Sequence, residues 1–320
     1  MITTGVILGR FMPPHEGHVA LIRTASYLVD RLTIVLATSD NDPIPPAVRK
    51  GWMEELFPES VVIVANNGAK PLPVEHTDWA TIIRGFHPEK IDRVIGSEDY
   101  LVILAKALNA QHFILDPMWM AYPANSIEIR QEPFEHWESI PDQVRPYFQK
   151  RLTMIGPEST GKSHMADFLA QKFGGPYVPE YGRPYEKFRT PGDYRAEELH
   201  FIVDGHVAHR KTLAMKAGPI LFEDTDPLLT AVWAEMLLDR SLPDLEAAIE
   251  LPDHYLLLDA NAPWEDDPLR YFGRQDLRDK FFTKIKAKLD QFGAGYTLIS
   301  GNWAERELQA IAVVEKLLKK

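Results

Sequence analysis

Two short stretches carry residue types at spacings that could do phosphate chemistry. The first is GPESTGKS, Gly156 to Ser163, which matches the phosphate-binding loop pattern G-x-x-x-x-G-K-[ST]. Glycines let such a loop curl until successive backbone N–H groups point at phosphate oxygens, and the following helix N-terminus adds positive potential. Within it Gly156, Glu158, Ser159, Thr160 and Gly161 would surround a triphosphate, Lys162 would reach its β- and γ-phosphates, and Ser163 would ligate magnesium. The second stretch is GRFMPPHEGH, from Gly9, which sets His15 and His18 around Gly17. Gly17 permits close backbone approach to a helix N-terminus, and two imidazoles there could donate hydrogen bonds to a phosphate chain as charge develops. A zinc reading of the pair is weak, because no third ligand lies nearby in the sequence.

Other acids and bases flank these motifs. PILFEDTD is a buried-strand run ending in carboxylates, where doubly wound sheets place their chemistry. Asp224 is the candidate for the magnesium shell, and Asp226 is either a second site acid or the cap of the helix that follows. VPEYGRPY offers Glu180 as the base for an attacking hydroxyl, with Arg183 beside it; a surface ion pair is the competing account. Arg270 and Arg274, in PWEDDPLRYFGRQDLR, are candidates to close over a transferring phosphoryl group.

The elements needed to position these groups are legible as an alternation. TGVILGR and RLTIVLATSD read as strands buried on both faces, and HVALIRTASYLVD between them carries Val19, Ile22, Ala25 and Leu28 at helical spacing. The alternation continues through helix RKGWMEELF, strand VVIVANN, helix HTDWATIIRGF, strand IDRVIGSED, helix YLVILAKALN and strand AQHFILDP. It breaks at Pro133, Pro141 and Pro146, then restarts with strand KRLTMIGPE, helix KSHMADFLAQKFG, a strand end at YVPEYGR, a long helix from RAEELHF, strands PILFEDTD and HYLLLDA, and a closing helix at ERELQAIAVVEKLLKK. The fold class is therefore α/β with two doubly wound domains, 1–148 and 149–320. Each half of the 320 residues is long enough for its own core.

Composition narrows the partners. A net charge of −11 argues against a protein that grips a nucleic-acid backbone, while leaving locally positive nucleotide pockets open. The chain has no cysteine, which removes disulfides, thiolate metal sites and cysteine nucleophiles. It shows neither a signal peptide nor a long apolar run, so a cytoplasmic location without membrane attachment is expected.

GRFMPPHEGH fits the G-x-F-x-P-x-H-x-G-H pattern of the nucleotidyltransferase superfamily, and GPESTGKS follows it in order. With EPFEHWESIPDQVRPYF between them, and EYGR, DTD and PWEDDPLRYFG beyond, nearly the whole chain resembles the bifunctional NadR-type family. That family joins a nicotinamide-mononucleotide adenylyltransferase of nucleotidyltransferase type, Rossmann-like in fold, to a P-loop ribosylnicotinamide kinase. The resemblance implies two consecutive steps of NAD synthesis with ATP as co-substrate and magnesium as cofactor. It implies that Gly9, Phe11, Ser126 and Arg130 join His15 and His18 at ATP. It implies further that Trp79 stacks on nicotinamide and that Tyr181, Arg183 and Asp226 bind the riboside. ANSIEIR departs from the I-S-x-T-x-[IV]-R that ends the domain in many members, with Asn125 and Ile127 in place of hydroxyl residues and Glu128 adding negative charge. Such departures are expected to weaken ATP binding unless Glu128 points outward. A kinase with a degenerate first domain and a nucleotide sensor acting through partners are the competing expectations; a homo-oligomer is left open. Some family members also carry an N-terminal helix-turn-helix, whereas this sequence starts almost at its first strand, so direct DNA binding is not expected.

Overall fold

The computed structural model describes residues 2–66, 76–116, 123–190, 192–261, 271 and 274–319. The chain divides into two compact units, Met1–Tyr147 and Phe148–Lys320. Among the described residues no helix is long and apolar enough to cross a membrane.

The first unit alternates β1 (Thr4–Gly9), α1 (Glu16–Ser26), β2 (Arg31–Thr38), α2 (Pro46–Leu56), β3 (Val61–Asn66), α3 (His76–Phe86), β4 (Arg93–Gly96), α4 (Leu101–Leu108) and β5 (Gln111–Ile114), followed by the short α5 (Ser126–Gln131). All five strands are parallel in the order β3-β2-β1-β4-β5. Ile7 and Ile34 face α1 and α2 with Ile22 and Met53, whereas Val6 and Val35 face α3 and α4 with Ile83 and Leu104. Alternate residues of one strand thus supply two cores, which is why these strands read as continuous apolar runs. The chain winds outward from β1 to β3, then returns to β4 on the other side of β1. The crevice between the ends of β1 and β4 is therefore a topological switch point, and GRFMPPHEGH lies on it.

After α6 (Arg145–Phe148), which straddles the division, the second unit runs β6 (Lys150–Ile155), α7 (Lys162–Phe173), α8 (Gly182–Phe188), α9 (Ala196–Ala214), β7 (Ile220–Asp224), α10 (Pro227–Leu237), α11 (Pro243–Ala247), β8 (His254–Leu258), α12 (Gln275–Gln291), β9 (Tyr296–Ile299) and α13 (Trp303–Leu318). Its parallel sheet has the order β7-β6-β8-β9, with a switch point between β6 and β8 where the phosphate-loop sequence emerges. One face packs on Met165, Leu169 and Val314 of α7 and α13, the other on Leu228, Phe281 and Ile285 of α10 and α12.

The stretch YVPEYGR, expected as a strand end, forms only an isolated bridge from Val178 to Glu223. Val178 donates to Phe222 O at 2.9 Å and accepts from Asp224 N at 2.8 Å, but Pro176 and Pro179 flank it and remove the donors a longer ladder needs. The bridge still fixes Glu180 beside the end of β7.

Candidate functional sites

In the first unit, Phe11 takes a left-handed backbone, φ 46°, and turns its ring back over the end of β1. A Cβ on Gly9 would meet that ring at 2.6 Å, so Gly9 serves the loop's shape. The edge of Phe11 meets His18, with centroids 5.0 Å apart, and His18 stacks on His15 at 3.7 Å. His15 is the N-cap of α1, and Gly17 is buried in the helix's first turn. His18 N donates to His15 Nδ1 at 3.3 Å, and His15 N donates to His18 Nδ1 at 3.4 Å. Because both Nδ1 atoms accept, each neutral ring carries its hydrogen on Nε2. Burial lowers the pKa of both, His15 to about 4, and His15 lowers that of His18 further. At neutral pH the pair consists of uncharged donors.

Around them a shared pocket is lined by Arg10, Phe11, His15, His18, Ser126, Glu128 and Arg130. Ser126 Oγ donates to Pro13 O at 2.9 Å, and Arg130 donates to Met12 O and, at 3.0 Å, to Ser126 O, so α5 clamps the loop from above. Asn125, placed where a hydroxyl is expected, N-caps α5 through Ile127 N at 2.8 Å and reaches Glu128 with its amide at 3.3 Å. Glu128 stands on the pocket wall. Trp79 lies elsewhere: it is 3% exposed and packs in the core with Val6, Leu8 and Ile83. Packing accounts for its apolar ring on the inner face of α3, the plain alternative to the stacking role expected for it.

Sequence reasoning passed over Arg10. Its guanidinium pairs with Asp42, which also accepts from Ser39 N and Oγ at 3.0 and 2.8 Å. Fully buried Arg49 pairs with the same carboxylate and donates to Arg10 O at 2.7 Å. Burial opposes the charge on Asp42, yet the Ser39 and Arg10 hydrogen bonds and the nearby Arg49 hold its carboxyl below the usual carboxylate range. The signal lay in SDNDPIPPAVR, an acidic loop at the end of β2 followed by a buried arginine.

In the second unit, β6 delivers Gly156 against β8, where a Cβ would lie 2.8 Å from Leu258 O. Ser159 has φ 58°, and Gly161, at φ 88°, faces the Trp303 ring so closely that a Cβ would come within 2.1 Å. Thr160 is turned inward, donating to Pro157 O at 2.9 Å, while buried Arg306 donates to Thr160 O at 3.2 Å. Lys162 Nζ bridges the loop, donating to Gly156 O at 3.1 Å and Pro157 O at 2.9 Å.

A cleft opens beside Lys162. Glu158, Glu180, Arg183, Glu186 and Thr225 line its polar parts, and Leu199, Ile202, Leu229, Trp233 and Leu237 its apolar parts, with Tyr194 and Tyr271 between. Glu180 accepts from Arg183 Nε at 3.1 Å. Asp224 is 2% exposed at the tip of β7, bonded to Ser163, with Oδ1 buried and unpartnered. Burial first, and the neighbouring Glu180 second, push its pKa up to about 6. Among the described residues no three or more His, Cys, Asp or Glu gather as a metal cluster. A phosphate-loop magnesium needs only one or two protein oxygens, the rest coming from phosphates and water, and the orphaned Asp224 Oδ1 beside the Ser163 hydroxyl fits that donor set.

Other expected contacts fall away. Asp226 N-caps α10 through Leu229 N at 3.2 Å, accepts from Tyr255 Oη and is 1% exposed, so its oxygens are occupied inside the fold. Tyr181 lies over Gly205 and sets its ring edge-on to His209, outside the cleft. Arg274 is exposed at the start of α12 and pairs with Asp276 at 2.7 Å. Local hydrogen-bond partners explain Asp226 and Arg274, and an open glycine seat explains Tyr181. Arg270 lies outside the described residues. The aromatic wall of Tyr194, Trp233 and Tyr271 was not foreseen; its members are far apart in sequence and meet only in the fold, where Tyr271 sets its ring edge-on to both of the others. Tyr271 N donates to both oxygens of Glu158 at 3.1 Å, tying this wall to the phosphate loop.

A family described as an AAA domain matches residues 151–306, the span that contains the phosphate loop and its cleft. The chain is 27% identical over 349 aligned positions to the trifunctional NAD biosynthesis/regulator protein NadR of Escherichia coli (strain K12), covering 99% of this chain and 83% of that protein. The protein of the same description from Salmonella typhimurium (strain LT2) is also 27% identical, covering 98% of this chain and 83% of the relative. Among solved structures, a NadR protein in complex with NR superimposes with a TM-score of 0.79 at 23% identity, covering 98% of this chain and 95% of that one. A NadR protein in complex with NAD and AMP-PNP gives 0.79 at 22% identity, with coverage of 98% and 96%. The resemblance to the NadR type drawn from the motifs thus holds along nearly the entire chain, and the fold is the one those proteins share.

Proposed function

We propose that the chain is a two-activity enzyme of NAD synthesis. The second unit phosphorylates the 5′-hydroxyl of nicotinamide riboside with ATP, and the first joins the resulting mononucleotide to the adenylyl group of ATP, releasing pyrophosphate. The observation that carries the reading is the cleft lined by Lys162 and Glu180, with the Asp224 carboxylate close enough to feel both, next to an aromatic wall of Tyr194, Trp233 and Tyr271.

In the kinase step Lys162 leaves its two loop carbonyls and follows the β- and γ-phosphates, while the loop's N–H groups hold their oxygens. Glu180, within the same cleft, accepts the proton of the attacking hydroxyl, and Arg183 orients that carboxylate. Magnesium, held by Ser163 and Asp224, supplies positive charge to the phosphate oxygens when bound. In the adenylyl step the Nε2–H groups of His15 and His18, with Arg10 and Arg130, stabilise the charge that develops on the phosphate chain, and His15 and His18 need exchange no proton with it.

A second reading, a kinase whose first unit is weakly active or sensing, is favoured by Glu128 on the pocket wall and by Asn125 acting as a cap. Incubation of purified protein with ATP, magnesium and either riboside or mononucleotide separates the two. NAD formed from mononucleotide supports the two-activity enzyme; mononucleotide accumulating from riboside without NAD supports the second reading.

A further inference from the structure

Behind the tip of β7 lies a buried polar cluster that phosphoryl transfer as described leaves unused. Successive strand residues point to opposite faces, so Asp224 is turned to Ser163 of the phosphate loop and the fully buried Glu223 to α9. Glu223 Oε2 accepts from His206 Nε2 of α9 at 3.0 Å, and Oε1 accepts from Arg151 Nε of β6 at 2.7 Å. Burial opposes its charge, yet the hydrogen bond from His206 and the Arg151 guanidinium hold the carboxyl below the usual carboxylate range. An ionised carboxylate only accepts, so His206 carries a hydrogen on Nε2. Its buried Nδ1 has no hydrogen-bond partner among the described residues, and the Nε2 bond is what ties the ring, and α9 with it, to β7.

The same two elements hold the segment that carries Glu180. At one end Val178 N donates to Phe222 O at 2.9 Å, and Val178 O accepts from Asp224 N at 2.8 Å. At the other the Tyr181 ring lies on the backbone of Gly205, where a Cβ would come within 2.2 Å of it, and sits edge-on to His209 with centroids 5.4 Å apart. Gly205 adjoins His206. Residues 178–181, β7 and α9 therefore form a triangle whose closing side is the Glu223–His206 bond, and Glu180 stands on its first side, facing Asp224 closely enough to perturb it.

We infer that His206 is a positioning residue: by fixing α9 to Glu223 it sets where Tyr181 rests, and so how Glu180 stands relative to Asp224. It does not line the cleft. The inference rests on the reading of Glu180 as the base and adds what holds that base in place. With the bond gone, α9 is free to slide under Tyr181 while β7 keeps Val178, and the Glu180 carboxylate turns about its anchored end. A misplacement of about 1 Å at a reacting group costs on the order of 100-fold in rate, whereas ATP, held by the phosphate loop, should bind as before.

His206→Leu removes the donor and leaves Glu223 paired with Arg151, and His206→Gln returns an amide donor to the same carboxylate. Riboside phosphorylation is followed with ATP and magnesium, and amide hydrogen exchange of residues 178–183 in the ligand-free proteins, with melting curves to establish that each is folded. In His206→Leu, kcat is expected to fall about 10- to 100-fold with KM for ATP changed no more than about threefold, and exchange across 178–183 to quicken. His206→Gln should bring both back close to the unaltered protein. Tyr181→Leu opens the triangle at another corner and should lower kcat similarly, and combined with His206→Leu it should lose little more than either alone. Unchanged kcat and exchange in a folded His206→Leu or Tyr181→Leu, a loss shared equally with ATP affinity, a Gln variant as impaired as Leu, or losses that multiply in the double variant each overturn the inference. Quickened exchange confined to 178–183 and reversed by Gln, in a protein that phosphorylates no riboside, supports the placement of Glu180 by His206 and defeats the kinase reading alone.

Discussion

Replacing Asp224 by Asn is expected to make the ligand-free protein more stable while abolishing riboside phosphorylation. The carboxylate sits at the tip of β7, 2% exposed, with one oxygen unpartnered and Glu180 as a like-charged neighbour. Moving its protonation from 3.8 to about 6 corresponds to roughly 3 kcal/mol against the ionised form at neutral pH. An Asn side chain keeps an oxygen to accept from Ser163 and points an amide toward Glu180, so part of that cost is recovered, less about 1 kcal/mol or more for an imperfectly bonded amide. The net expectation is a gain of about 1–2 kcal/mol, or roughly 2–4 °C in melting temperature per kcal/mol for a unit of this size.

The sign with pH is fixed. A carboxyl whose folded pKa is raised binds more protons folded than unfolded, so its destabilising effect is absent below 3.8, grows between 3.8 and about 6, and is complete above that. Melting curves of the two proteins should therefore diverge as pH rises through this window. Magnesium with a non-hydrolysable ATP analogue should raise the melting temperature of the unaltered protein more than that of Asp224→Asn. A variant that is equally or less stable at pH 7.5, or a difference that does not change with pH, refutes the account of Asp224 as a carboxylate held in strain for a cation.

Three further outcomes are expected. Lys162→Ala should abolish riboside phosphorylation by at least about 1000-fold while sparing NAD formation from mononucleotide, and His18→Ala should do the reverse; separate product assays of each substrate decide this. His15→Asn preserves a capping side chain but removes the titration, so the stability lost by the unaltered protein as pH falls from 6.5 to about 4, at most roughly 3 kcal/mol from this group, should shrink in urea denaturation at stepped pH. Gly161→Ala places a methyl 2.1 Å from the Trp303 ring at φ 88°, and a loss of about 2 kcal/mol or more, with kinase activity impaired, should appear in thermal and product assays.

The parallel strands and their crossovers were legible because burial on both faces writes unbroken apolar runs, as in β1, β2 and β8. Less visible were elements whose signals are short or depend on distant partners. β9 has four residues, and α5 was hidden because Asn125, a standard helix-capping residue, stood in a stretch read for phosphate contacts. At the sites, the loop motifs announced His15, His18 and Lys162 by local pattern alone. Trp79 and Tyr181 could not be assigned by pattern, since an aromatic ring suits a core, a glycine seat or a ligand equally well. Asp226 was ambiguous for a related reason: an acid before Pro227 is both a site acid and a helix cap, and the hydroxyl of Tyr255, 29 residues on, settles it as a cap. Arg10 was missed because its importance comes from Asp42 and Arg49, which no local spacing connects to it.

The two switch-point loops solve the same problem with opposite electrostatics. In the first unit the donors are preset: reciprocal capping fixes the tautomers of His15 and His18, and Asp42 holds Arg10 at the pocket before any ligand arrives. Little reorganisation is then needed when charge develops, which suits a step whose protein contribution is positioning and charge stabilisation. In the second unit Lys162 satisfies itself on the loop's own carbonyls and Asp224 keeps an oxygen without a partner, so on the proposed function the site would be complete only when phosphate and cation enter together. The first pocket should accordingly bind nucleotide without a divalent ion far better than the second does. Nucleotide titrations of Lys162→Ala and His18→Ala in chelator, compared with titrations in magnesium, read the two sites separately, and a strict cation requirement confined to the first unit would be incompatible with this division of labour.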